Sequence, residues 1–522
     1  MARSDIRRLR KAGIKAVLIA SFLLSVLILS LYYALSQGPA RMRYAAGTVE
    51  ILNGRAAWRY MEEGKDPSVG KVWTTLNYDA SFWRTGCGSF STSMDSDADN
   101  LLQNSNGARG DIYSYFFRHE FEIEKEQAAK VQSMTGELFY KDAVVVYLNG
   151  EVLFTGNIPP GGFETNLEAG ASEERDGITT SRFQVSDLSA LRSGKNVLSV
   201  EIHQSDEKGS DIYFAFSALT LSEERAQERN LDTRYLLLTK SEQEDSAVIN
   251  YVSGQETSCK VEYMESADYT GIDSLEQYGD TVYMGSRTTV GGCLHRAELT
   301  HLKENMDYVY RIVRVGGRAS TRVYRFSTGK NYRTSFGVTA LPDGAEWRDV
   351  LRSLQDRGES MSFFALIGGD RPEDALLSEL PLWQQKPGIY IGTDRGEADS
   401  VLDAIFSGEN FYCVDQDISV IGIWEGGDTG AAEYIRQVKQ ATKRAWIVAL
   451  APGCQSVDGL LDAGANLVFR RTEEGGLLVS GKENGEVLSR GADYAEVTGY
   501  ENRLELKCLN WEGAVTAQLT LK

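Results

Sequence analysis

Five short segments decide how this chain is read: FGVTA (336–340), FFALIGGD (363–370), GIYIGTD (388–394), AWIVALAPG (445–453) and NLVFRR (466–471). Each is an apolar run of strand length that breaks into a loop rich in Gly, Asp, Pro or Arg. Such runs, separated by helix-length polar stretches, predict an α/β unit over residues 334–522. Ligands of open α/β sheets bind outside the carboxyl ends of the strands. Yet no histidine stands at these strand ends. The four in the chain are His119, His203, His295 and His301, all upstream.

Working outward, the 522 residues are enough for about three domains. The net charge of −19 sits on a chain whose first 43 residues are basic, so the remainder is more acidic still. An acidic surface repels phosphate backbones, which excludes DNA and RNA as expected partners. The six cysteines form no CxxC pair, which excludes a zinc ribbon or a thioredoxin motif. Cys259 and Cys293 are the pair first considered for a disulfide, with buried thiols as the alternative.

Residues 1–15 form a basic tail, and Ala16–Leu35 is an uncharged apolar stretch of twenty residues. That length spans a hydrocarbon core of about 30 Å. The expectation is an uncleaved, single-pass transmembrane helix at 16–35, with the N-terminus cytoplasmic and the bulk extracellular. A cleaved signal peptide is the alternative. Residues 44–225 hold alternating strands, among them 114–123, 143–154 and 195–204, with a turn at Asn149-Gly150. These predict an all-β sandwich or jelly roll. Residues 231–328 hold six or seven further short strands, as in an immunoglobulin-like sandwich. The expected fold class is therefore a transmembrane helix, two all-β sandwiches and an α/β domain.

Three resemblances add to this. Residues 141–150, 194–204 with 210–214, and 78–86 with Trp73 resemble phrases of bacterial galactose-binding-like modules. That implies a glycan or a cell-surface protein as a candidate partner. His203 and Asp211 belong to those phrases and read as framework. Trp58, Trp73 and Trp83 read as core rather than sugar platforms. Residues 299–302, 308–312 and 324–328 resemble the end of the N-terminal, fibronectin type III-like domain of purple acid phosphatases. Residues 334–522 then resemble the calcineurin-type metallophosphoesterase domain that follows it.

The resemblance implies two metal ions (Fe, Zn or Mn) held by carboxylates, an asparagine and imidazoles at the strand ends. This chain departs from that pattern. The first ligand strand reads Ala340-Leu341-Pro342, with Asp343 late on the loop. Asp370 keeps the metal-bridging position. Thr393, Asp394 and Arg395 stand where the family has asparagine, histidine and aspartate. Ala449-Leu450-Ala451 replaces the fourth motif and Arg470-Arg471 begins the fifth. Residues 302–522 contain no imidazole to substitute.

Three uses of the vacated site remain open. Asp370 can pair with an arginine. Arg395, Arg470 and Arg471 can hold an anion bidentately. Asp343, Asp370 and Asp394 can bind Mg²⁺ or Ca²⁺ weakly. Other chemistry is thin: Gly426–Gly430 lacks a P-loop lysine, and Cys454 has no nearby histidine base. The expected function is a binding or structural one with no cofactor. The alternative is a divergent phosphoesterase rebuilt around Asp370.

Overall fold

The computed structural model describes residues 48–522 except 106–111, 160–176, 205–210, 225–230, 232–234, 255–256, 290, 329–333, 343–346, 359–360, 369–376, 378–379, 393–400, 407–409, 425–426, 455–456, 473–475, 482–486 and 511. The chain is predominantly β, with short helices confined to its C-terminal part and to a few connections.

Two six-stranded sheets face each other in the first unit. One contains Ser133–Lys141 paired antiparallel with Tyr213–Ser222, the other Ser114–Ile123 paired antiparallel with Gly194–His203. The inward face of each strand is apolar, and Trp58 meets Phe117 and Phe214 edge-on between the sheets. The outward face of Gly194–His203 is buried too. Trp73, Trp83 and Phe116 cover it in a second cluster. All three tryptophans singled out above are thus core residues, at most 5% exposed.

Two four-stranded layers form the second unit. One holds Leu236–Thr239, Ala247–Ser253, Gly285–Thr289 and Gly292–Leu299; the other holds Cys259–Glu265, Asp280–Tyr283, Asp307–Arg314 and Tyr324–Ser327. Tyr310, Tyr324 and Phe326 stack in its core. Cys259 is a buried free thiol, so the Cys259–Cys293 bridge is absent. The buried Arg311 guanidinium is matched by Glu262 at 2.7 Å and Glu276 at 2.9 Å. These carboxylates outweigh the cost of burial and hold its pKa above the usual value.

The C-terminal unit is a four-layer arrangement. Thr334–Ala340, Phe363–Ile367 and Gly388–Ile391 run parallel, flanked by the antiparallel strands Tyr494–Tyr500, Arg503–Leu509 and Val515–Leu521. Facing them, Ile418–Gly422, Trp446–Leu450 and Leu467–Arg471 run parallel in a second sheet. Phe336, Phe363, Val448 and Phe469 fill the space between. Helices Trp347–Arg357 and Val401–Phe406 cover one outer face. Gly427–Thr442 and Val457–Ala463 cover the other.

The expected fold class is corrected here in two respects. First, β-sandwich sheets with few helices make up most of the chain, and the second and third units share one of these sheets. Thr239 pairs in parallel with Gly388, so one ten-stranded sheet runs from the sandwich into the α/β unit. The reason is local: Gly388 has no Cβ, and a Cβ there would collide with Trp383 and Phe364. Second, the structure does not support a fold that opens on a transmembrane helix. Among the described residues no helix is long and apolar enough to cross a membrane. The stretch 16–35 itself lies outside the described residues.

The junction is locked by charge. Lys240 Nζ lies 2.7 Å from Asp415 Oδ2, and both side chains are about 10% exposed or less. Thr334 Oγ1 donates to Asp415 Oδ1 at 2.7 Å. Burial alone would lower the Lys240 pKa, but the Asp415 charge more than offsets this and holds it above the usual value. Asp415→Ala should therefore cost about 3–5 kcal/mol in urea unfolding, because an ammonium is left buried and alone. The double variant Lys240→Met/Asp415→Leu should recover most of that loss. Equal losses in the single and double variants would contradict this account.

Burial also raises two thiols, Cys259 and Cys413, from 9.0 to about 12. In the folded protein at pH 8, Ellman's reagent should therefore react with exposed Cys87 and leave these two until urea is added. Unfolding restores their ordinary acidity. Their contribution to stability should be intact below pH 9 and decline as pH rises from there toward 12.

Candidate functional site

Parallel strands bring their carboxyl ends to one edge, and hydrogen bonds show that the ends are level. Leu341 N donates to Ile367 O at 2.8 Å, and Gly368 N to Ile391 O at 2.9 Å. In the facing sheet Ile423 N donates to Leu450 O, and Ala451 N to Phe469 O, both at 2.9 Å. The two edges open on the same side of the molecule. Arg471 Nε proves this by reaching across the sandwich to Leu341 O at 3.0 Å.

The side chains at this edge are largely apolar. Leu341, Ala449, Leu450 and Ala451 are fully buried. At Gly368 the space a Cβ would need is taken by the Tyr390 ring. Tyr390 in turn lies 6.4 Å, ring to ring, from Trp424. Trp424 is fixed by its backbone N–H donating to Asn410 Oδ1 at 2.8 Å. Arg470 and Arg471 close the edge. Each is half-buried, and each donates to a backbone carbonyl, Arg470 Nη1 to Cys454 O at 3.3 Å and Arg471 Nε to Leu341 O.

Of the residues singled out from sequence, the structure brings Arg471 and Leu341 together, the fifth and first ligand positions of the resemblance. Asp343, Asp370, Thr393, Asp394 and Arg395 lie outside the described residues. Among the described residues, no group of three or more His, Cys, Asp or Glu side chains is placed to hold a metal ion. Among the described residues the charged side chains at the edge are guanidiniums, which carry positive charge and no lone pair to give. They do not fit a centre of Fe, Zn or Mn.

The upstream histidines are framework. His203 is fully buried, with Nδ1 2.9 Å from Ser114 Oγ and Nε2 3.1 Å from Glu201 Oε2. Glu201 also meets Lys71 Nζ at 3.2 Å and the Tyr147 hydroxyl at 3.0 Å. Its burial opposes ionisation, but His203 and Lys71 outweigh that and hold the carboxyl below its usual pKa. Asp211 is exposed in the turn beyond. His295 is buried in its strand against Tyr251, whereas His301 is exposed in a turn at φ 58°. The Arg471 strut and the Lys240–Asp415 lock were not foreseen. Each joins residues more than a hundred positions apart, and no local pattern marks such a pairing.

Comparison with known proteins bears on the middle of the chain. Residues 234–328 match the family model for the purple acid phosphatase N-terminal domain. No curated protein matches the chain. Among solved structures, a purple acid phosphatase from yellow lupin (Lupinus luteus) seeds is 13% identical, with a TM-score of 0.41, over 83% of this chain and 95% of that one. A glycosyl hydrolase family 2 member from Bacteroides cellulosilyticus is 10% identical, with a TM-score of 0.21, over 91% of this chain and 85% of that one. Likenesses this remote carry no argument about chemistry. The family match at 234–328 relates the chain to the purple acid phosphatases through their N-terminal domain.

Proposed function

We propose that this chain is a non-catalytic binding or structural protein whose C-terminal unit keeps the strand scaffold of a metallophosphoesterase without its metal centre. The observation that carries the reading is the hydrogen bond from Arg471 Nε to the Leu341 carbonyl. A two-metal phosphoesterase needs that edge open and lined by anionic or neutral donors, so that both ions can clamp the phosphate. Here a cationic side chain braces it shut, with alanine and leucine beneath. A guanidinium in that place repels divalent cations and draws its stability from a backbone carbonyl instead. The N-terminal sandwich, placed ahead of this unit, is the candidate for contact with a glycan or a surface protein.

Elemental analysis of the purified chain should find Fe, Zn and Mn each well below one per molecule. Incubation with p-nitrophenyl phosphate and each metal in turn should give no turnover above buffer. Stoichiometric metal together with turnover lost in Asp370→Ala would overturn this reading and favour a phosphoesterase rebuilt around that residue. Arg471→Ala should lower unfolding free energy by about 1–3 kcal/mol, the worth of a charge-assisted hydrogen bond with its carbonyl left bare. A neutral result would show that the strut does not hold the edge.

A further inference from the structure

A cavity of about 340 Å³ lies where the second unit meets the third. Its wall is assembled from residues 239–243, 296 and 298, 388–389, 405–406 and 411–413. The volume is at the small end of the range for small-molecule pockets, roughly 300–1,000 Å³. Its apolar lining includes Ile389, Ile405, Phe406 and Phe411. Its charged lining is Lys240, Arg296, Glu242 and Glu298.

The charged groups of that wall are not equivalent. Lys240 is committed to Asp415 at 2.7 Å. Glu298 accepts a hydrogen bond from the Ser241 hydroxyl. Arg296 is held in the sheet by its backbone, and its side chain meets only the charge of Glu298. It is partly buried. Burial lowers its pKa from the usual value, and the charge of Glu298 compensates only in part. Arg311, in the same unit, shows the ordinary solution: two carboxylates within hydrogen-bond reach and a raised pKa. Strand alternation explains why Arg296 is different. In Gly292–Leu299, Ala297 and Leu299 turn into the sandwich core, so Arg296 and Glu298 face the other side, toward the cavity.

A guanidinium is a planar fork that matches a carboxylate through two parallel N–H···O bonds. We propose that this cavity binds a small organic monocarboxylate. The carboxylate pairs with Arg296, and a ring-sized apolar body lies against Ile389, Phe406 and Phe411. The nearby Glu298 carboxylate disfavours a dianion such as a phosphate monoester. Because the wall comes from both units, the ligand would also brace their junction. The inference stands whether or not the Arg471 edge is catalytic.

The test uses the full chain and calorimetric titration with phenylacetate, beside its neutral counterpart phenylacetamide. Phenylacetate should bind saturably at one site, and phenylacetamide about tenfold or more weakly, as expected for loss of a charge-assisted pair. Arg296→Met should reduce phenylacetate affinity by a similar factor and leave phenylacetamide unchanged. Equal binding of the two compounds to the native protein would overturn the proposal without any variant. So would the absence of saturation by phenylacetate at millimolar concentrations.

Discussion

The pairing of Thr239 with Gly388 is the contact on which the C-terminal two-thirds of this protein depends. It is a single registered pair, yet it joins four strands of a sandwich to six of an α/β unit in one sheet. A continuous sheet fixes relative orientation far more tightly than a flexible linker would. Lys240, immediately after the paired residue, then places a buried ammonium against Asp415 of the facing sheet. Neither charge is tolerable alone in that environment, so the arrangement is selective for one docking of the two units.

The N-terminal sandwich is attached by different means. Ser258 and Thr155 exchange hydrogen bonds of 2.7 and 2.6 Å, through one hydroxyl and two backbone groups. Ser186 and Asp187 both donate backbone N–H groups to Gly316 O. Gly316 sits at φ 68°, and a side chain there would strike Val185, so a glycine permits both the turn and the approach. This seam is polar and local, unlike the shared sheet beyond it. Within the sandwich, the Lys71–Glu201–His203 cluster lies under Trp73 and Trp83 and serves to satisfy its own buried charges.

Much of the C-terminal scaffold was legible because buried parallel strands are continuous apolar runs that end in turn residues. Phe363–Ile367 and Trp446–Leu450 are of this kind, buried throughout. The hairpin Phe411–Asp415 with Ile418–Gly422 was legible from the short break between its halves. The sheet shared by the second and third units was not legible. A polar connector in sequence does not reveal that a strand a hundred residues earlier pairs across it. The cavity at the junction was invisible for the same reason, since Arg296 and Phe406 carry no shared pattern.

By itself the sequence determined that the strand ends of the last unit would lack imidazole, because no histidine follows His301. It also determined which faces of the strands would be apolar, since side-chain alternation is a property of the extended chain. Only the tertiary structure decided what meets at those strand ends. Arg471 and Leu341 are brought together by two separate sheets packing with their carboxyl ends on one side. Charge, hydrophobicity and periodicity are local and additive along the chain. The distance between a guanidinium and a carbonyl 130 residues away is neither, and it exists only once the layers have packed.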